Sequence, residues 1–169
     1  MKRLRVMQSN WSKKLVGMFA ALAMVFALAS TASAEALKAF ATRSGNLTGT
    51  GATFISLTNG GATALNFSTP GANKVIKITY NAECSALGPS GWTSVEILVD
   101  GVAAEPNSGT LFAFCTQPVA NATVWTGATR QSIITVPAAG NHSVQVRVNN
   151  NSGATQWWLG DSSLVVEQK

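Results

Sequence analysis

Residues 74–84 read Lys74-Val75-Ile76-Lys77-Ile78-Thr79-Tyr80-Asn81-Ala82-Glu83-Cys84, and their alternation decides the fold class. Ile76, Ile78, Tyr80, Ala82 and Cys84 fall on one face of an extended chain, and Lys77, Thr79, Asn81 and Glu83 on the other. A period of two with one apolar and one polar face marks a strand in a sheet that is wet on one side. The pattern recurs in Thr93–Asp100, where Val95, Ile97 and Val99 oppose Ser94, Glu96 and Asp100, with Leu98 the apolar exception. It recurs again in Asn141–Asn149, where Val144, Val146 and Val148 oppose Ser143, Gln145 and Arg147. Further strands are expected at Leu37–Thr42, Ala52–Leu57, Ala64–Phe67, Thr110–Thr116, Thr123–Trp125, Gln131–Val136, Thr155–Leu159 and Ser163–Glu167. No window beyond residue 34 sustains a 3.6-residue period, and Gly, Asn, Ser, Thr and Pro interrupt the chain too often for helices.

Turn signals separate these segments. Asp100-Gly101 between two valines predicts a tight hairpin of the I′ type, and Gly60-Gly61, Pro70-Gly71 and Ala139-Gly140-Asn141 are further turns. Residues 35–50 read as a looser lead-in and Gly101–Gly109 as a loop, while Asp161 after Gly160 reads as a turn before the last strand. About ten short strands punctuated in this way predict an all-β, antiparallel two-sheet sandwich, a jelly roll.

The first 34 residues are of a different kind. Lys2, Arg3, Arg5, Lys13 and Lys14 precede an apolar run from Leu15 to Ala29, which ends in Ser30-Thr31-Ala32-Ser33-Ala34. A basic start, an apolar centre and a small-residue end form a secretory signal peptide. The expected organisation is a signal peptide at 1–34 and one β-sandwich domain at 35–169, exported to the periplasm or the cell exterior. The leader also carries the whole formal charge of +5. Residues 35–169 hold seven Lys/Arg and seven Asp/Glu, so the basic pI gives no footprint for nucleic acid. No transmembrane segment is expected beyond the leader.

Two cysteines remain, Cys84 and Cys115. In an oxidising compartment such a pair bridges, and the spacing fits no zinc pattern. His142, the only histidine, falls on the side of Val144, Val146 and Val148, which predicts a structural, hydrogen-bonded imidazole. Glu96 and Asp100 share a strand face but lie about 13 Å apart at roughly 3.3 Å per residue, too far for a glycosidase pair. No phosphate-binding loop, H-E-x-x-H, C-x-x-C or G-x-S-x-G motif occurs. No catalytic residue, metal site or cofactor is therefore expected. Six Asn-x-Ser/Thr sequons occur, one of them in the leader. The Ala-rich leader reads as bacterial, so no glycosylation is inferred.

The tryptophans carry the remaining signal. Trp92, Trp125, Trp157 and Trp158 lie beyond the leader, and the adjacent pair Trp157-Trp158 in a strand must point to opposite faces. One of that pair is free for a second layer, an interface or solvent. An exposed indole on a polar, nearly uncharged sheet suits stacking on the C–H face of a sugar ring, with Asn, Gln and Thr bonding the hydroxyls. The competing readings bury all four in the core or place them in a subunit interface.

The segments Ile76–Cys84, Val95–Gly101, Gly140–Val146 and Ser163–Val166 resemble exported bacterial β-sandwich proteins of unassigned function and, more distantly, C1q/TNF-like jelly rolls. The second resemblance implies a trimer built through aromatic and aliphatic faces, although this chain lacks the collagen-like stalk. The function expected from all of this is a non-enzymatic exported module that binds a glycan or cell-envelope component through Trp92, Trp125 and Trp157 or Trp158. The alternative is a structural or adhesion subunit that assembles as a homo-oligomer. A small hydrolase would need Glu83, Glu96 or Asp161 as its acids.

Overall fold

Eleven strands follow one another along the chain: β1 (Ala36–Arg43), β2 (Leu47–Gly49), β3 (Thr53–Phe54), β4 (Leu65–Thr69), β5 (Lys74–Leu87), β6 (Trp92–Val99), β7 (Val102–Ala103), β8 (Ala113–Thr116), β9 (Thr126–Val136), β10 (Gly140–Asn151) and β11 (Gln156–Gln168). They come from a computed structural model that describes residues 35–107, 112–117 and 119–169. The signal-peptide reading of residues 1–34, and residues 110 and 111 of one expected strand, lie outside the described residues. All strand pairs are antiparallel. The first sheet runs β1-β11-β5-β9 with β2 also on β11, and the second runs β3-β10-β6-β7 with β4 on β10 and β8 on β6. The architecture is the expected all-β sandwich, jelly-roll-like in form. No helix among the described residues is long and apolar enough to cross a membrane.

The alternation read from the sequence becomes the interior. Ile76, Ile78, Tyr80, Ala82 and Cys84 of β5 face Val95, Ile97 and Val99 of β6 and Val144, Val146 and Val148 of β10, all within one buried cluster. Leu98, the exception on β6, is also buried. Asp100 and Gly101 both take positive φ, 50° and 81°, as the I′ turn between β6 and β7 requires. The Cys84–Cys115 disulfide joins β5 of the first sheet to β8 of the second, with the Cα atoms 6.1 Å apart. It therefore ties the two layers together across the core.

Several expected boundaries move. The lead-in at 35–50 is ordered ladder: β1 pairs with β11 from Ala36↔Gln168 to Arg43↔Ser162. Its small residue Ala41 enters the core cluster. Only Thr53–Phe54 of the Ala52–Leu57 segment joins a ladder, although Ile55 and Leu57 are buried and Ile55 N donates to Val146 O at 3.1 Å. The expected Thr123–Trp125 strand is irregular, because the β5–β9 ladder ends at Cys84↔Thr126. The loop after Gly101 contains the short β7, and Glu105 pairs with Ile133 at the open edge of β9.

The largest revision concerns the C-terminus. The strands expected at Thr155–Leu159 and Ser163–Glu167 are one strand, β11, and Asp161 makes no turn there. Leu159 pairs with Cys84 and Ser162 with Ala82, so Gly160 and Asp161 together oppose the single residue Glu83. That is a β-bulge. It changes the phase of the strand, so that Trp157 and Leu159 before it and Leu164 and Val166 after it all point inward.

Trp157 fits only because β2 is bare beneath it. A Cβ on Gly49 would lie 2.7 Å from Trp157 Cε2, whereas one on Gly51 would meet nothing within 4 Å. Gly49→Ala should lower the unfolding free energy in urea by about 1–3 kcal/mol through overpacking. Gly51→Ala should stay within about 0.5 kcal/mol of the parent.

Candidate functional site

The bulge at Gly160-Asp161 opens a groove on the outer face of the first sheet. About 450 Å³ in volume, it is lined by Asn81 and Glu83 of β5, Thr129 of β9, and Asp161 and Ser163 of β11. These residues come together because Asn81 pairs with Thr129 on one side and Ser163 on the other. They form a polar row across three strands. Thr129 Oγ1 donates to Asn81 Oδ1 at 2.7 Å, and Asn81 Nδ2 donates to Ser163 Oγ at 3.3 Å. Asp161 Oδ1 accepts from Gly45 N at 2.9 Å, which fixes its carboxylate at one end. Beneath the bulge, the buried Arg43 donates to the carbonyls of Gly45 and Gly160.

Trp125 stands at the rim. A Cβ on Gly160 would lie 2.9 Å from Glu83 Oε2 and 3.3 Å from Trp125 Cζ3, so the bare glycine lets the carboxylate and the indole approach one point. Trp125 packs edge-on against Trp158, with ring centroids 6.5 Å apart and planes at 78°. That contact covers part of the Trp125 ring and leaves it 40% exposed. Trp158 is itself half-buried on the outer face, between Ser85 and Thr48.

The four tryptophans do not converge. Trp125 and Trp158 belong to the outer face of the first sheet. Trp157 points the other way, as adjacent strand residues must: it is 2% exposed, and its Nε1 donates to Gly51 O at 3.0 Å. It offers no face for stacking. Trp92 opens β6 in the second sheet, opposite Asn151 and Thr116. Strand alternation gives the single rows of residues, but not which rows adjoin or which sheet each joins, so Glu83, Asp161 and Trp125 could not be grouped from sequence.

His142 is structural, as expected, and more elaborately held than the sequence shows. Nδ1 lies 2.7 Å from Asp100 Oδ2, and Nε2 lies 3.3 Å from Thr69 Oγ1 and 3.2 Å from Ala138 O. The order carboxylate, imidazole, hydroxyl is that of a hydrolase triad, but the chemistry is not. Thr69 is 4% exposed, and its hydroxyl donates to Ala138 O at 3.2 Å. A nucleophile needs an accessible oxygen and a base free to take its proton. A hollow of about 590 Å³ lies beside this group, lined in part by Lys38, Asn66 and Asp100, and in it Asp100 is bonded to His142 and Ser143. Among the described residues no three His, Cys, Asp or Glu side chains are grouped to hold a metal ion.

No protein-family model matches the chain, and no curated protein matches it. Solved structures similar to it include a family 36 carbohydrate-binding module in complex with calcium and xylotriose, with 19% identity, 80% of this chain and 97% of that one covered, and a TM-score of 0.34. The xylan-binding domain CBM22-1 of Paenibacillus barcinonensis Xyn10C gives 12% identity, 79% and 97% coverage, and a TM-score of 0.33. A family 35 carbohydrate-binding module from Clostridium thermocellum gives 9% identity, 74% and 96% coverage, and a TM-score of 0.30. Likenesses of this size fix no residue-by-residue correspondence.

Partial burial works against the charge on Asp100, but hydrogen bonds from His142 and from Ser143 N, at 2.8 Å, outweigh it and hold the carboxyl below its ordinary range. A lowered folded-state pKa means stability that is present above the ordinary carboxylate range and lost as pH falls through the folded value. Acid unfolding monitored by tryptophan fluorescence should therefore include a component below about pH 4. Asp100→Asn should remove that component and be less stable than the parent at neutral pH.

Proposed function

We propose that this chain is a non-catalytic, exported module that binds a glycan in the groove at the β11 bulge. The observation that carries the reading is the approach of one part-exposed indole, Trp125, and the Glu83 carboxylate to the bare Gly160, beside a groove that Glu83 shares with Asp161, Asn81, Thr129 and Ser163. Sugar rings present apolar C–H faces and rims of hydroxyls. An indole supplies the partner for the first, and Glu83, Asp161 and Asn81 supply acceptors and donors for the second. With two acids and no basic residue in its lining, the groove suits neutral sugars and opposes polyanions. General acid catalysis asks for a carboxyl shielded from water, whereas Glu83 and Asp161 both stand exposed. The leader and the disulfide support export.

The test compares two tryptophans. Trp125→Ala should weaken binding to insoluble or arrayed polysaccharides by at least about tenfold, the scale of one good contact near 1.4 kcal/mol, and leave the melting temperature nearly unchanged. Trp157→Ala should instead cost about 3–5 kcal/mol of stability. Binding by the parent to no glycan, or binding unaffected by Trp125→Ala and Glu83→Gln, would overturn the reading.

Self-assembly is the second reading. Leu37 and Phe40, 60% and 65% exposed, point outward from the edge strand β1, and Phe40 pairs with Val165. Light scattering after size exclusion decides it: an oligomer dissociated by Phe40→Lys supports assembly through β1, and a monomer at all concentrations excludes it.

A further inference from the structure

Arg130 is a buried cation without an anion. It sits on the inward face of β9, opposite Tyr80, and is 3% exposed. Its Nη2 donates to Pro106 O, and its guanidinium carbon lies 3.8 Å from the centre of the Phe112 ring. Those contacts clamp the chain after β7 down on β9, but they leave Nε and Nη1 buried with no hydrogen-bond partner. Two residues along the same face, the Ser132 hydroxyl is buried and likewise unpartnered.

No carboxylate of the chain serves Arg130. Residues 1–34, 108–111 and 118 contain no Asp or Glu. Of the seven that remain, Glu96 acts on Arg130 by charge alone, and its own Oε2 accepts from Arg147 Nε at 2.8 Å. Glu105 is the nearest in sequence, but its Oε2 turns back to Asn107 N at 2.6 Å. Glu35 and Glu167 bind Lys77, and Asp100 binds His142. Glu83 and Asp161 lie in the groove on the outer face. A buried guanidinium keeps its proton, and a buried charge calls for a partner of opposite sign. A carbonyl dipole and a ring quadrupole offset only part of that demand.

We propose that Arg130 Nε and Nη1, with the Ser132 hydroxyl, form an internal site for a small monovalent anion, either a halide or a carboxylate group supplied from outside the chain. The three donors belong to residues two apart on one buried strand face, and none of them is used by the clamp on Pro106 and Phe112.

The test is thermal unfolding of the purified protein in sodium chloride, bromide or acetate, each titrated against sodium gluconate at constant ionic strength. The melting temperature should rise saturably with at least one small anion, because a ligand bound only to the folded state stabilises it by mass action. A response to halides identifies an inorganic ion, and a response to acetate alone identifies a carboxylate. Arg130→Met should abolish the response. No response in the parent, or an equal response in Arg130→Met, would overturn the site. Should Arg130→Met fail to fold, Ser132→Ala replaces it. Removing an unpartnered hydroxyl spares the fold, and half-saturation should move about tenfold higher, the scale of one hydrogen bond to a charged group. An unchanged half-saturation would overturn the site as drawn.

Discussion

The register of β11 against β5 governs the rest of the molecule, and that register turns on a single extra residue. A strand alternates strictly, so a one-residue slip sends every side chain to the wrong face. Trp157 and Leu159 occupy odd positions, and Leu164 and Val166 even ones, yet all four are in the core. Only an insertion between them reconciles the two phases. Gly160 and Asp161 opposite Glu83 provide it, while β5 runs unbroken from Lys74 to Leu87. The bulge thus serves the core first. The groove is its consequence: the displaced backbone brings Asp161 beside Glu83 on the outer face, and the absence of a side chain at Gly160 lets Trp125 approach.

A second constraint is the scarcity of charge inside the sandwich. Among the described residues Arg43, Arg130 and His142 are the buried basic groups, and all three reach backbone carbonyls outside the regular ladders: Gly45 O, Pro106 O and Ala138 O. Each therefore ties a connection to a strand. This is a use of cations suited to a domain poor in helices, whose loops would otherwise be held only by their ends. His142 has a carboxylate as well, in Asp100, and Arg43 lies under the bulge that carries Asp161. Arg130 has neither, which makes it the one discordant member of the set.

Much of this fold was legible because period-two alternation is a local property. Ile76 to Cys84, Val95 to Val99 and Val144 to Val148 declare their faces without reference to any neighbour, and Asp100-Gly101 declares its hairpin. The Cys84–Cys115 pairing was legible because the sequence holds two cysteines and its basic, then apolar, start reads as an export leader. What was not legible is what depends on partners. β1 looked loose because Ala39 and Ala41 are weak signals until β11 lies beside them. Thr123–Trp125 looked like a strand because its residues favour strands, but no partner extends past Thr126. The odd-to-even change between Leu159 and Leu164 was present in the sequence as a signal for a bulge. Gly160-Asp161 also suits a turn, so the sequence by itself reads there as two strands. The tryptophans show the same limit: their opposed facing at 157 and 158 was readable, whereas the separation of Trp92 onto the other sheet was not.

The shape of the groove bears on what kind of glycan would use it. It crosses β11, β5 and β9 on an open sheet face, with the Trp125 indole beside it and no opposing wall among the described residues. A site of that form covers one side of a sugar ring and leaves the other in water, so little apolar area is removed per residue bound and affinity at a single ring is modest. Closed pockets gain selectivity for chain ends and free monosaccharides by enclosing them. An open groove gains nothing from enclosure and loses nothing when the ligand extends past either edge. On the glycan reading, its natural ligand is therefore an interior stretch of polymer, where many equivalent segments compete to occupy one site and rapid rebinding offsets weak contact. On the same reading the polar row of Thr129, Asn81 and Ser163 is the floor: its members are already bonded to one another, so binding would ask little further entropy of it.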